Sequence, residues 1–175
     1  MTDHRSLFST CTCGQVRLEA TGRPIVTVTC YCASCQAAGQ KFAALPGATS
    51  VLREDGGTDF ILFRKDRVSC LAGKEVLREH RLTTASKTRR VTATCCNSAM
   101  FLEFTNGHWL SLYSARVPSK DRPALEMRTM TSDRRTGVEL DDTVPSSKTQ
   151  SVKFMARLLA AWVAMGFRAP RIDFV

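Results

Sequence analysis

The sequence predicts a mainly β domain closed by a C-terminal α-helix. Three observations carry that reading. Short apolar runs, alternating or β-branched, recur from residue 16 to residue 113 with turn residues between them. Cysteines gather in tight groups among these runs. Apolar residues at three–four spacing become regular only after residue 150.

Taken in order, Val16, Leu18 and Ala20 alternate with Gln15, Arg17 and Glu19, the period of a half-buried strand. Gly22-Arg23-Pro24 turns the chain, and residues 25–29, Ile-Val-Thr-Val-Thr, form a strand running into Cys30. Residues 34–44 read as a short helix or a loop. Gly56-Gly57 marks a turn before a strand at 60–63, and further strands are expected at 68–71, 76–82, 90–94, 101–104 and 109–113. Residues 1–118 therefore make one β domain. Residues 119–150 are polar and carry Pro123 and Pro145, and they read as a linker wrapping the core. Residues 151–175 supply a helix and tail. Val152, Met155, Leu158, Leu159, Trp162 and Met165 share its apolar face, with Lys153 and Arg157 opposite. That face is expected to dock on the sheet or on a second copy of the chain, as a homodimer.

Composition narrows the function classes. An apolar share of 43% with 23% charged residues is ordinary for a folded globular chain and argues against disorder. The apolar stretch 154–167 is interrupted by Arg157 and is too short to span a bilayer. The opening MTDHRSLFST has no basic segment followed by an apolar run, so no secretory leader is expected and the location is read as cytoplasmic. Lys and Arg exceed Asp and Glu by 25 to 16, a net charge of +9 that favours anionic partners. The run Lys87-Thr-Arg-Arg90 meets the charge criterion for nucleic acid, but no aromatic residues interleave it. It reads as a solvated basic face, and nucleic acid is not an expected partner.

The cysteines carry the chemistry. Seven of eight fall into Cys11-x-Cys13, Cys30-x-Cys32-x-x-Cys35 and the adjacent pair Cys95-Cys96. Lone buried cysteines pack as small hydrophobes, but that does not account for seven in three groups. Disulfides would need an oxidising compartment, and iron–sulfur ligation uses other spacings. Tight turns that aim thiolates at one ion suit zinc, which takes sulfur ligands tetrahedrally. Four plus three is the natural division. Cys30, Cys32 and Cys35 can reach one ion from one loop and leave a position open. Cys11 and Cys13 then need distant partners, for which Cys95 and Cys96 are available. Such a closed site would clip the N-terminal strand to one some 80 residues later, so metal binding would add to folding stability.

The strings Cys11-Thr-Cys-Gly-Gln-Val-Arg-Leu and Cys30-Tyr-Cys-Ala-Ser-Cys, with the late pair before Ser98-Ala-Met-Phe-Leu-Glu, resemble one family over roughly residues 9–115. It is the glutathione-dependent formaldehyde-activating enzyme and centromere-protein-V domain family, of which this chain looks like a divergent branch. The resemblance implies a zinc-bearing, β-tent-like stack of small antiparallel sheets. It implies a carbon–sulfur lyase activity, the addition of glutathione to formaldehyde to give S-hydroxymethylglutathione. It makes Cys11 and Cys13 part of a structural zinc site, and Cys30, Cys32 and Cys35 the ligands of a second, substrate-facing zinc, with glutathione as co-substrate. The third motif departs from the family's C-x-x-C-G. Ala93 stands at its first position, Cys95 is the thiol available to substitute, and Asn97 replaces the glycine, where it tolerates positive φ.

Three thiolates already over-neutralise a zinc ion, so activation of a thiol is favoured over polarisation of a carbonyl. The partner expected is a small anionic thiol. The other reading is a non-catalytic module in which both metals only hold the fold, the second being closed by a ligand such as Cys70 or His80. Cys70 otherwise reads as a buried strand cysteine, His80 and His108 as polar or core residues, and Trp109 and Tyr113 as core.

Overall fold

The computed structural model describes residues 6–175; residues 1–5, half of the opening segment read for a leader, lie outside it. The chain runs β1 (Ser6–Thr10), β2 (Arg17–Thr21), β3 (Val26–Cys30), α1 (Ala33–Ala43), β4 (Thr58–Arg64), β5 (Val68–Ala72), β6 (Leu77–His80), β7 (Thr88–Ala93), β8 (Ser98–Phe104), β9 (Trp109–Tyr113), β10 (Met127–Thr129) and α2 (Val152–Ala164). The protein is mainly β, with ten strands in two sheets among the described residues. The small sheet has the order β1-β2-β5. The large one runs β10-β3-β4-β9-β8-β7-β6. Neighbours are antiparallel except β10, which lies parallel to β3.

The strand β4 explains the layering. Phe60-Ile61-Leu62-Phe63 is apolar without alternation because both of its faces are covered. Ile61 and Phe63 join one core with Leu18 and Ala20 of the small sheet. Phe60 and Leu62 join a second core with Ala38 and Phe42 of α1 and Phe154 and Leu158 of α2. The large sheet is thus sandwiched between the small sheet and the two helices.

Local chemistry sets the helix starts. Cys32 caps α1, its Sγ accepting from the Cys35 N–H at 3.4 Å. Ser151 caps α2, its hydroxyl accepting from the Phe154 N–H at 3.1 Å. After α2, Gly166 at φ +62° lets the chain leave the helix. The face that docks differs from the expected one. Phe154, Leu158 and Met165 are buried, whereas Val152, Met155 and Leu159 are exposed. Arg157 is held at the flank by Glu126 and the Ile25 carbonyl, which turns only a narrow stripe of the helix inward. Among the described residues no helix is long and apolar enough to cross a membrane.

Candidate metal centres

The closed group forms where two turns meet. Cys11 follows β1 and is buried; Gly14 at φ +84° turns the chain back into β2. Cys95 and Cys96 lie in the β7–β8 turn, and Asn97 at φ 53° closes it, the conformation a family glycine would supply. The four sulfurs of Cys11, Cys13, Cys95 and Cys96 lie within 4.8 Å of one another. Individual separations are 3.5 Å for Cys11–Cys13, 3.8 Å for Cys11–Cys95, 3.3 Å for Cys13–Cys95 and 3.9 Å for Cys95–Cys96. A tetrahedron with metal–sulfur bonds of roughly 2.3 Å has edges of roughly 3.8 Å, so this donor set fits one zinc-sized ion. The Val16 N–H donates to Cys11 Sγ at 3.2 Å, which partly offsets the burial that pushes this thiol up. Ala93, at the family's first cysteine position, is instead a fully buried core residue at the end of β7, and Cys95 joins the group in its place.

The second group is built from one loop. Cys30 ends β3, Cys32 caps α1, and Cys35 is buried in the helix's first turn. Their sulfurs also lie within 4.8 Å of one another. The helix start holds the loop, with the Cys35 and Gln36 N–H groups both donating to the Cys32 carbonyl. The Gln36 amide nitrogen donates to the carbonyls of Tyr31 and Asp133. Cys30 and Cys32 are only half buried. These three sulfurs could hold a metal ion, and among the described residues no fourth cysteine, histidine or carboxylate joins the group.

Electrostatics single out one sulfur in each group. Bonds from the Cys30 and Cys35 thiols draw the Cys32 thiol down to about 2, and its place at a helix N-terminus acts the same way. The contact with Cys32 pushes Cys30 up to about 11, and the contacts with Cys30 and Cys32 hold Cys35 well above its usual value. Burial opposes ionisation of Cys96, but the Ser98 hydroxyl and Cys13 outweigh it and bring the thiol down to about 6. Each group thus contains one sulfur disposed to carry negative charge, as a metal ligand must.

The remaining sequence candidates fall elsewhere. Cys70 is half buried on β5 and donates to the Ala72 carbonyl, in neither group. His80 packs edge-on against Phe42, and its Nε2 is buried without a partner. His108 is a core histidine, bonded through Nε2 to the Leu158 carbonyl at 2.8 Å and stacked on Trp162. Tyr113 is buried at the end of β9. The run Lys87-Thr-Arg-Arg90 is not a solvated face. Arg89 pairs with Glu79 and Glu103, and Arg90 is fully buried under α1. Sequence reasoning also passed over Ser34, Ser98 and Arg116, which touch the cysteine loops. Their only visible signal was adjacency to cysteines for the serines, and Arg116 had none.

No curated protein sequence matches the chain. A solved crystal structure of a Rhodobacter sphaeroides protein is similar to it at 16% identity and a TM-score of 0.45, covering 80% of this chain and 99% of that one. The model of the glutathione-dependent formaldehyde-activating enzyme family matches residues 6–129, well over half of the chain. With its two cysteine groups able to hold metal ions, the chain belongs to the glutathione-dependent formaldehyde-activating enzyme family.

Proposed function

We propose that the protein is a carbon–sulfur lyase-type enzyme that joins a small thiol, glutathione or a relative, to a small aldehyde such as formaldehyde. The observation that carries this reading is the difference between the two sulfur groups. Cys11, Cys13, Cys95 and Cys96 bring four sulfurs together, the number a closed site needs, whereas Cys30, Cys32 and Cys35 bring three. Neither Cys70 nor His80, the two candidates for closing the second group, belongs to it.

Zinc bound by Cys30, Cys32 and Cys35 would supply an open coordination position and favour the ionised form of an arriving thiol. The chain's own part is to hold three thiolates on a rigid strand–helix junction and to leave Cys30 and Cys32 accessible. In the reaction the thiol sulfur bonds to the carbonyl carbon, the carbon–oxygen π bond opens, and the oxygen takes the proton that the thiol released. The reverse reaction returns aldehyde and thiol. A net charge of +9 draws an anionic thiol toward the surface.

Metal counting by mass spectrometry followed by glutathione titration tests the reading. Two metal ions per chain are expected in the parent and one in Cys32→Ser, with unchanged circular dichroism. Saturable glutathione binding should disappear in Cys32→Ser. Full metal content with no thiol binding would leave a non-catalytic module.

A further inference from the structure

Two arginines are buried in this protein without a carboxylate partner among the described residues. Arg90, on β7, is 1% exposed, and Arg116, just after β9, is 6% exposed. Other buried bases are paired, Lys65 with Glu103 and Arg128 with Asp141. Arg90 and Arg116 are not, and each also leaves its Nε without a hydrogen-bond partner. A guanidinium removed from water with no counter-charge is strongly disfavoured, so the anion that balances it must be sought nearby.

Each arginine stands beside one cysteine group, and the connection is built alike in both. Arg90 Nη2 donates to the Ser34 carbonyl at 3.1 Å and to the Ser34 hydroxyl at 3.2 Å. The Ser34 hydroxyl is in turn 3.5 Å from Cys32 Sγ. Arg116 Nη1 donates to the Ser98 hydroxyl at 3.3 Å and to the Thr12 hydroxyl at 2.7 Å. The Ser98 hydroxyl is 3.1 Å from Cys96 Sγ. Arg90–Ser34–Cys32 and Arg116–Ser98–Cys96 are therefore the same chain of contacts, guanidinium to hydroxyl to sulfur, at two places unrelated in sequence.

We propose that Arg90 and Arg116 are the counter-charges of the two thiolate centres, each acting through a serine hydroxyl and each setting how tightly its own centre holds a divalent metal ion. The proposal rests on the reading that both groups bind zinc. Three thiolates on a divalent ion leave one negative charge, and four leave two. One buried guanidinium neutralises the three-sulfur centre beside Arg90 and half-neutralises the four-sulfur centre beside Arg116. Both arginines are positioning residues that meet the sulfurs through Ser34 and Ser98. Unpaired bases are tolerated in the core because the folded protein carries their anions as metal-bound thiolates.

The test uses the full chain loaded with zinc and, in parallel, with cobalt(II). Arg90→Gln should weaken one metal ion per chain about tenfold or more in chelator competition, leaving the other unmoved. Arg116→Gln should do the reverse, and Arg90→Lys and Arg116→Lys should recover most of the affinity because the charge returns. The sulfur-to-cobalt charge-transfer band should shift only for the centre whose arginine was changed. With metal stripped and thiols protonated, Arg90→Gln should melt no lower than the stripped parent, a result that a merely structural arginine would not give. Ser34→Ala and Ser98→Ala weaken the same centres and serve where an arginine variant does not fold. Equal losses for Gln and Lys, loss of both ions together, or unchanged affinities would overturn the proposal alone. A parent chain that binds no metal would overturn the functional reading first and this one with it.

Discussion

Cys13 and Cys95 are 82 positions apart in the chain, and their sulfurs are 3.3 Å apart in the fold. The contact ties the turn between β1 and β2 to the turn between β7 and β8. It joins the edge of the small sheet to the large one, so a metal ion there acts as a cross-link between layers.

That relationship predicts a large effect of metal on stability. Closing a loop of this length is worth about 4 kcal/mol by chain entropy. Cys95→Ser should lose one metal ion per chain and lower the urea midpoint accordingly. A strong chelator should bring the parent down to the level of the chelated variant. A parent whose midpoint ignores chelation would contradict the prediction.

His108 gives a pH dependence with a definite sign. Burial is the main force holding its pKa below the usual value, aided by Lys65 and Arg64 and only partly offset by the bond to the Leu158 carbonyl. Its contribution is complete above about pH 6.5, where the unfolded imidazole is also neutral. It is lost as pH falls below 6.5 toward the folded pKa, by at most about 1.4 kcal/mol per pH unit. Because Trp162 stacks on the imidazole, its fluorescence should follow denaturation of the α2 end. In His108→Gln the change in stability between pH 7 and pH 5 should be smaller than in the parent.

Asp55 anchors the loop that carries the second group. Burial disfavours its charge, but the Gly57 N–H, the Tyr31 hydroxyl and Arg53 outweigh this and hold the carboxyl below its usual pKa. The Tyr31 hydroxyl donates to it at 2.9 Å, from between Cys30 and Cys32. Asp55→Asn should cost about 1–2 kcal/mol. The gap from the parent should be full at neutral pH and close as pH drops below about 4, since the stability is lost when the folded carboxylate takes its proton. Burial raises the Tyr31 hydroxyl to about 12, so alkali above about pH 10 should destabilise the parent as well.

Gly39 lets α1 lie against the loop after it. A Cβ there would stand 2.5 Å from Leu52 Cγ. Alanine gains about 1 kcal/mol of helix propensity, while overpacking costs about 1–3 kcal/mol. Gly39→Ala should therefore destabilise the parent but stabilise a Leu52→Ala background. Equal effects in both backgrounds, by urea unfolding, would count against this packing.

Much of the fold was legible because strands advertise themselves locally. The strand at Trp109–Tyr113 coincides with its predicted range, and β3, β5 and β7 shift by a residue or two. Met127–Thr129 lies inside the stretch read as linker, because three residues are too few to display a period and its pairing with β3 is long-range. The helix Ala33–Ala43 is ambiguous between helix and loop in the sequence, since its deciding feature is a cysteine cap rather than a strong apolar stripe. The docked stripe of α2 differs from the apolar face the spacing predicts because Phe154 lies outside that spacing and Arg157 pins the flank.

The sequence by itself determined the β class, the family motifs and the division of seven cysteines into a four and a three, because ligand spacing within a turn is a local property. Tertiary structure alone decided that Ala93 is a core residue, and that neither Cys70 nor His80 completes the second group. It alone turned Arg90 from an apparent surface base into a buried one beside Ser34. An arginine in a strand looks solvent-facing until a helix covers that face, and whether one does depends on contacts between residues 56 positions apart.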